Sequence, residues 1–163
     1  MRQLGNPNSD FAGDRGEADP EVRRLLAGCA GPDAATYPRA VAALCGARLL
    51  LPIAPDPDGD LAALQVRAAD GRTALPVFTG LDSLQAWQTG ARPVPCTLDD
   101  VAATAVETGS VAIVVDLAGP ASVVIEDPLI AELAAGRRLV ELAEGGFGWL
   151  SVGGPEPDPA DAG

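Results

Sequence analysis

The chain has 163 residues and a formal net charge of −12, a length that suits one domain with tails and excludes a second large one. All 11 basic residues are arginine and histidine is missing, which removes the imidazole base of Ser-His-Asp and Cys-His catalysis, the Schiff-base lysine and the phosphate-loop lysine. Hydrophobic residues make up 47% of the chain and include 30 alanines, so the expected core is finely divided.

The acidic excess would repel phosphate backbones, and no stripe of basic and aromatic residues offsets it; no nucleic-acid partner is expected. The longest uncharged stretch, residues 145–155, spans 11 residues and is rich in glycine, far short of the roughly 20 apolar residues of a membrane span. The opening residues lack the apolar centre of a signal peptide, so the cytoplasm is the expected address. Cys29, Cys45 and Cys96 form no Cys-x-x-Cys pair and read as reduced, structural thiols.

Residues 1–18 read as a flexible N-terminal arm, with Phe11 free to dock, and residues 153–163 as a disordered acidic tail, because neither segment has enough apolar surface to offset its ordering entropy. The folded unit is then residues 19–152. Asp19-Pro20-Glu21 is a helix start, with cap, first-turn proline and first-turn acid in order; Val22, Leu25, Leu26 and Cys29 line its inner side. A second helix is expected over residues 37–45, stopped by Gly46. Residues 48–53 form a buried strand that Pro52 places at a sheet edge or strand end.

Alternation from Leu61 through Leu64 and Val66, a reversal at Asp70-Gly71, and the return through Thr73, Leu75 and Val77 predict a hairpin. Thr79-Gly80-Leu81-Asp82 is a capped helix entry, and residues 92–96 are a short edge strand. Thr97-Leu98-Asp99-Asp100 opens a helix with Val101, Ala105 and Val106 inward and Gly109 as its stop. The β-branched run of residues 111–117 suits a central strand turning through residues 118–121 into Val123-Val124-Ile125. Asp127-Pro128 starts a last helix, and residues 137–142 with 147–152 make a final hairpin around Glu144-Gly145-Gly146. The sum is a single α+β domain, a mixed or mostly antiparallel sheet packed against several short helices.

Little in the pattern carries chemistry. Asp56-Pro57-Asp58-Gly59-Asp60 fails the calcium-loop register, since Gly59 falls fourth and Arg67 twelfth, and reads as a solvated turn. Cys96, before a helix start, is the one credible nucleophile, but Asp99 and Asp100 beside it disfavour the thiolate and no histidine activates it. Asp99 and Asp100 diverge by about 100° on a helix and share no acid/base site. No catalytic, metal or cofactor residues emerge. Phe78, Trp87, Phe147 and Trp149, usually core residues, become anchors for a protein partner if solvent-facing.

Four phrases carry a resemblance: Asp10-Phe11-Ala12-Gly13-Asp14 with Ala18-Asp19-Pro20; Gly46-Ala47-Arg48-Leu49-Leu50-Leu51-Pro52; Asp70-Gly71-Arg72-Thr73-Ala74-Leu75-Pro76-Val77-Phe78-Thr79-Gly80-Leu81-Asp82-Ser83-Leu84; and Val115-Asp116-Leu117-Ala118-Gly119-Pro120. The chain resembles the actinobacterial SseB family from Leu4 to about Trp149, with Phe78-Thr79 and the 116–120 segment the most distinctive parts. The resemblance implies a small cytoplasmic α+β domain with no assigned reaction and no catalytic residues to carry over. Members of that family often have a longer charged insertion between the first two strands, which residues 55–60 replace here. The functional expectation is a non-enzymatic protein-interaction or regulatory module with an unknown protein partner and no membrane or cofactor. The alternatives are Cys96-dependent sulfur transfer or redox chemistry, and small-molecule sensing. The oligomeric state stays open.

Overall fold

A computed structural model describes Phe11 and residues 13–151. Five helices and nine strands are present among them: α1 (Pro20–Gly28), α2 (Thr36–Cys45), β1 (Leu49–Pro55), β2 (Leu61–Ala63), β3 (Val66–Arg67), β4 (Thr73–Val77), α3 (Leu81–Trp87), β5 (Arg92–Cys96), α4 (Leu98–Thr108), β6 (Ala112–Val115), β7 (Val123–Glu126), α5 (Leu129–Ala134), β8 (Arg137–Glu141) and β9 (Phe147–Ser151). The mixture of helices with antiparallel and parallel pairing is the expected α+β class. No helix among the described residues is long and apolar enough to cross a membrane.

Asp19 caps α1 by accepting from the Glu21 amide at 2.8 Å, and Val22, Leu25 and Leu26 are buried. In α4 the buried positions Leu98, Val101, Ala102 and Ala105 form one helical stripe, closed by Gly109 in the left-handed region at φ 71°. Val106 was expected inward but is 59% exposed, because it lies one residue, about 100°, beyond that stripe. α4 packs on β4, β6 and α5, while α2 packs on α1 and β8.

The strands form three sheets, in the orders β2-β1-β5, β3-β4-β6-β7 and β8-β9. β1 is the middle strand of its sheet, which corrects the expectation that Pro52 would put it at an edge. Leu50 exchanges both backbone bonds with Phe78, at 2.8 and 3.0 Å, and the Pro52 carbonyl accepts from Leu64 at 2.9 Å. The missing donor of Pro52 thus falls between Phe78 and β2, on the side away from β5. Pro52 faces Pro93 and Leu50 faces Pro95, so both β5 prolines turn their nitrogens to the free edge and blunt it.

The expected hairpin is only half realised. Val66 and Arg67 pair with Ala74 and Thr73, but residues 61–63 pair with β1 instead. The interior strand β4 takes β6 as its parallel partner along its length, Ala74 to Val77 opposite Ala112 to Val115. β6 is central as expected, with β7 antiparallel on its other side. The last hairpin forms as read, Leu139 opposite Trp149.

Two apolar clusters result. The larger gathers α1, α2, α4 and α5 against Leu75, Val77, Ile113, Val115 and Ile125. The smaller lies under α3 and holds Leu50, Phe78, Leu84 and Ala91, with Trp87 beside them.

Residues 13–18, assigned to a loose arm by their composition, make specific contacts: the Leu81 amide donates to the Gly16 carbonyl at 2.8 Å, and Arg48 holds Asp14. Gly16 has φ +80°, and a Cβ there would lie 2.4 Å from Leu81 Cγ. Gly16→Ala is expected to cost about 1–2 kcal/mol through the left-handed backbone and this contact. Urea unfolding measures it; an unchanged midpoint would show that the arm adds nothing to stability.

Candidate functional site

β6 closes on the β-branched residues Ile113, Val114 and Val115, and one acid, Asp116, follows directly. It is fully buried, and its backbone sits at φ 52°, a conformation Asp tolerates better than most residues. A buried carboxylate requires donors on both oxygens. Oδ1 accepts from the Thr79 amide and the Ser83 hydroxyl, each at 2.8 Å, and Oδ2 accepts from the Thr79 hydroxyl at 2.6 Å.

Thr79 links this centre to two arginines. Its hydroxyl accepts from Arg23 Nε at 3.2 Å, and its carbonyl accepts from Arg48 Nη1 at 2.9 Å. Arg23 in turn donates to both oxygens of Asp82, at 2.5 Å each. That pairing raises the Arg23 guanidinium and holds Asp82 below the ordinary carboxylate value. Arg48 pairs with Asp14 at 2.5 Å and donates to the Glu17 carbonyl at 2.5 Å. The helix entry at Thr79 is therefore not capped as expected: Gly80, which has no side chain to cap with, is the N-cap of α3, and the threonine hydroxyl is taken by Asp116.

Sequence reading singled out Phe78-Thr79 and the 116–120 segment but did not connect them. The available signal was a lone acid within the apolar run of residues 111–117; its donors lie 33 and 37 residues away and have no local signature. Chemically the cluster is a closed staple. Every polar atom of Thr79 is engaged and Asp116 exposes no atom to a substrate.

Beside the staple, a groove of about 590 Å³ opens between the arm, α1 and the start of β1, lined by Phe11, Asp14, Glu17, Asp19, Arg48 and Thr79 among others. Asp56 folds its own loop, its Oδ1 accepting from the Asp58 and Asp60 amides at 2.9 Å.

The aromatic candidates separate. Phe78 is fully buried and stacks on Trp87 with ring centroids 5.5 Å apart, so it offers no contact surface, a correction that follows from its place beneath α3. Trp87 is partly buried in the same cluster, and Phe147 packs against the main core. Trp149 is 38% exposed. Cys96 ends β5 in a buried position, and desolvation, followed by the Asp100 charge, pushes its thiol up to about 12. Cys45 and Cys29 are also raised by burial. All three cysteines are free.

Asp116→Ala leaves the Thr79 amide and hydroxyl buried without an acceptor, while the Ser83 hydroxyl keeps the Gly80 carbonyl, and is expected to cost about 3–5 kcal/mol. Ser83→Ala removes one donor only, about 1 kcal/mol. Chemical denaturation gives both, and equal losses would refute the staple. Cys96 should resist alkylation at pH 8 in the native protein and react only after unfolding. Its folded value lies above the unfolded one near 8.5. Its contribution is therefore intact below that pH and is lost as pH climbs towards 12. Modification of Cys96 at the rate of a free thiol would contradict the burial.

A comparison with protein families matches residues 22–132 to the SseB protein N-terminal domain. The matched segment runs from α1 into α5 and contains Arg23, Arg48, Thr79, Asp82, Ser83 and Asp116; the β8-β9 hairpin lies beyond it. No curated protein and no solved structure matches the chain. With more than half of its length matched, the chain belongs to the SseB N-terminal domain family.

Proposed function

We propose that this chain is a non-enzymatic protein-interaction or regulatory module of the cytoplasm that meets its partner through the β8-β9 hairpin. The observation that carries the reading is the apolar surface on the hairpin's outer face, where Leu142 is 45% and Leu150 56% exposed; Trp149, on the other face opposite Leu139, is 38% exposed at the rim. Exposed aliphatic side chains bordered by a polar rim are the usual composition of a protein contact. The rim here holds the Arg39–Glu141 and Arg137–Glu132 ion pairs. Among the described residues β9 pairs only with β8, so its outer edge is also open to a strand.

The buried thiol weakens the competing reading of Cys96-dependent chemistry, since a thiol near 12 is protonated at neutral pH. Small-molecule sensing keeps one specific support, the groove beneath the arm. A ligand seated there would raise the melting temperature, and Arg48→Ala would remove that rise.

Immobilised wild-type protein is expected to retain a stoichiometric partner from native lysate. Cys96→Ala should retain it equally, and Leu150→Glu should lose at least nine-tenths of it. Undiminished capture by Leu150→Glu would remove the hairpin from the interface, and a turnover abolished by Cys96→Ala would replace the module with a thiol enzyme.

A further inference from the structure

A free sheet edge is a template for another strand, and most edges of this fold are obstructed. β5 turns two proline nitrogens outward, and β2 and β3 span three and two residues. On β7 the Val124 carbonyl accepts from the Tyr37 hydroxyl at 2.7 Å, and β8 lies against α2 and α5. β9 differs: Phe147-Gly148-Trp149-Leu150-Ser151 contains neither charge nor proline, and among the described residues it pairs with β8 alone.

The direction of its free backbone groups follows from the turn. The Leu142 amide donates to the Gly146 carbonyl at 3.0 Å, and bonded and non-bonded pairs alternate along an antiparallel ladder. In the observed register Val140–Gly148 and Arg138–Leu150 are therefore bonded pairs, and the amides and carbonyls of Phe147, Trp149 and Ser151 point to the open edge. Side chains alternate as well: Trp149 shares the inner face with Leu139, whereas Gly148 and Leu150 lie on the outer face with Leu142. Leu142 leans over Gly148, its Cδ2 being 3.4 Å from where a Cβ on that glycine would stand.

We propose that the β9 edge pairs antiparallel with the β9 edge of a second copy of the chain, about a two-fold axis at Trp149 and perpendicular to the sheet. The inference rests on the reading of the hairpin as a contact surface and names what its open edge takes. In this register Trp149 faces its own copy and Phe147 faces Ser151, so the outward amides of each strand meet the outward carbonyls of the other. Other two-fold registers along β9 leave part of the strand unpaired. On the outer face Leu150 enters the side-chain-free position at Gly148 of the other copy and meets Leu142 there; on the inner face the two Trp149 rings come together. One symmetry operation thus covers the exposed large apolar residues of the hairpin, Leu142, Trp149 and Leu150.

Charge favours the antiparallel arrangement. It puts Arg137 of one copy and Glu141 of the other at the two ends of one row across the joined sheet, whereas parallel pairing would align like with like. The acidic excess of the chain lies elsewhere: residues 137–151 hold Arg137 and Arg138 against Glu141 and Glu144, so the contact itself is neutral. Strand addition draws its affinity from main-chain hydrogen bonds and does not need a broad area; so short an edge makes the association weak and reversible.

Sedimentation equilibrium of the full chain at physiological salt, up to millimolar concentration, is expected to show a monomer–dimer equilibrium. Ser151→Pro removes an outward amide that bonds nothing within the hairpin and should weaken association by about tenfold or more, as should Leu150→Glu. Leu61→Glu, the same change at a leucine on β2 that is 45% exposed, should leave the constant within about twofold. Under mild oxidation Trp149→Cys should form a disulfide-linked dimer about fivefold faster than Leu150→Cys, because position 149 lies opposite itself and position 150 does not. Unchanged thermal melts certify that the variants fold. A wild type that stays monomeric overturns the inference, as does equal weakening by Leu61→Glu or cross-linking that does not distinguish position 149 from 150. Lysate capture separates this from the hairpin reading: a monomeric wild type whose partner is still lost in Leu150→Glu overturns self-pairing and keeps the hairpin as a contact with a different protein.

Discussion

A carboxylate removed from water requires its full complement of donors, and Asp116 draws the polar architecture of this domain around that requirement. Its three hydrogen bonds tie the residue after β6 to Thr79, two residues past β4, and to the first turn of α3. The Leu50–Phe78 bridge one residue earlier joins the same point to β1. Two sheets and a helix thus meet at Thr79, and the parallel alignment of β4 with β6 is fixed at the end where both strands leave the sheet.

From Thr79 the network spreads outward with rising exposure. Arg23 brings in α1, and Arg48 brings in the arm through Asp14 and Glu17. The arm is held by charge and backbone bonds, with little apolar burial, so a reading based on hydrophobicity underestimates its attachment. The acidic character of the chain contributes here: Asp14, Asp82 and Asp116 are all within this network, each in hydrogen-bonding or ion-pair contact with a group from another segment. The functional consequence is that Thr79, Asp116 and the arginines around them are committed to holding the fold and offer no free polar group to a substrate.

Much of the secondary structure was legible because its causes are local. Asp19-Pro20, Asp70-Gly71, Gly109 and Asp127-Pro128 fix helix starts, a reversal and a helix stop from within a few residues, and the structure places boundaries close to each. The failures were non-local. Residues 61–63 and Val66 belong to one alternating run, yet they join different sheets, since strand pairing depends on partners many residues away. Pro52 suggested an edge, but its missing donor falls between the Phe78 bridge and β2, on the side away from β5, which makes the middle position compatible with the ladder. Phe78 and Trp149 look alike in composition; one is sealed beneath α3 and the other lies at a hairpin rim.

The sequence alone determined the missing chemistry, with no imidazole and no primary side-chain amine, the α+β class, and most element boundaries, all of which follow from residue identity and short-range geometry. Only the tertiary structure decided that Thr79 serves Asp116 instead of capping α3, that Arg48 ties down residues 14–17, and that Cys96 is sealed and protonated. Those outcomes depend on which distant groups are brought within hydrogen-bonding range and out of water, and that proximity is a property of the packed chain as a whole.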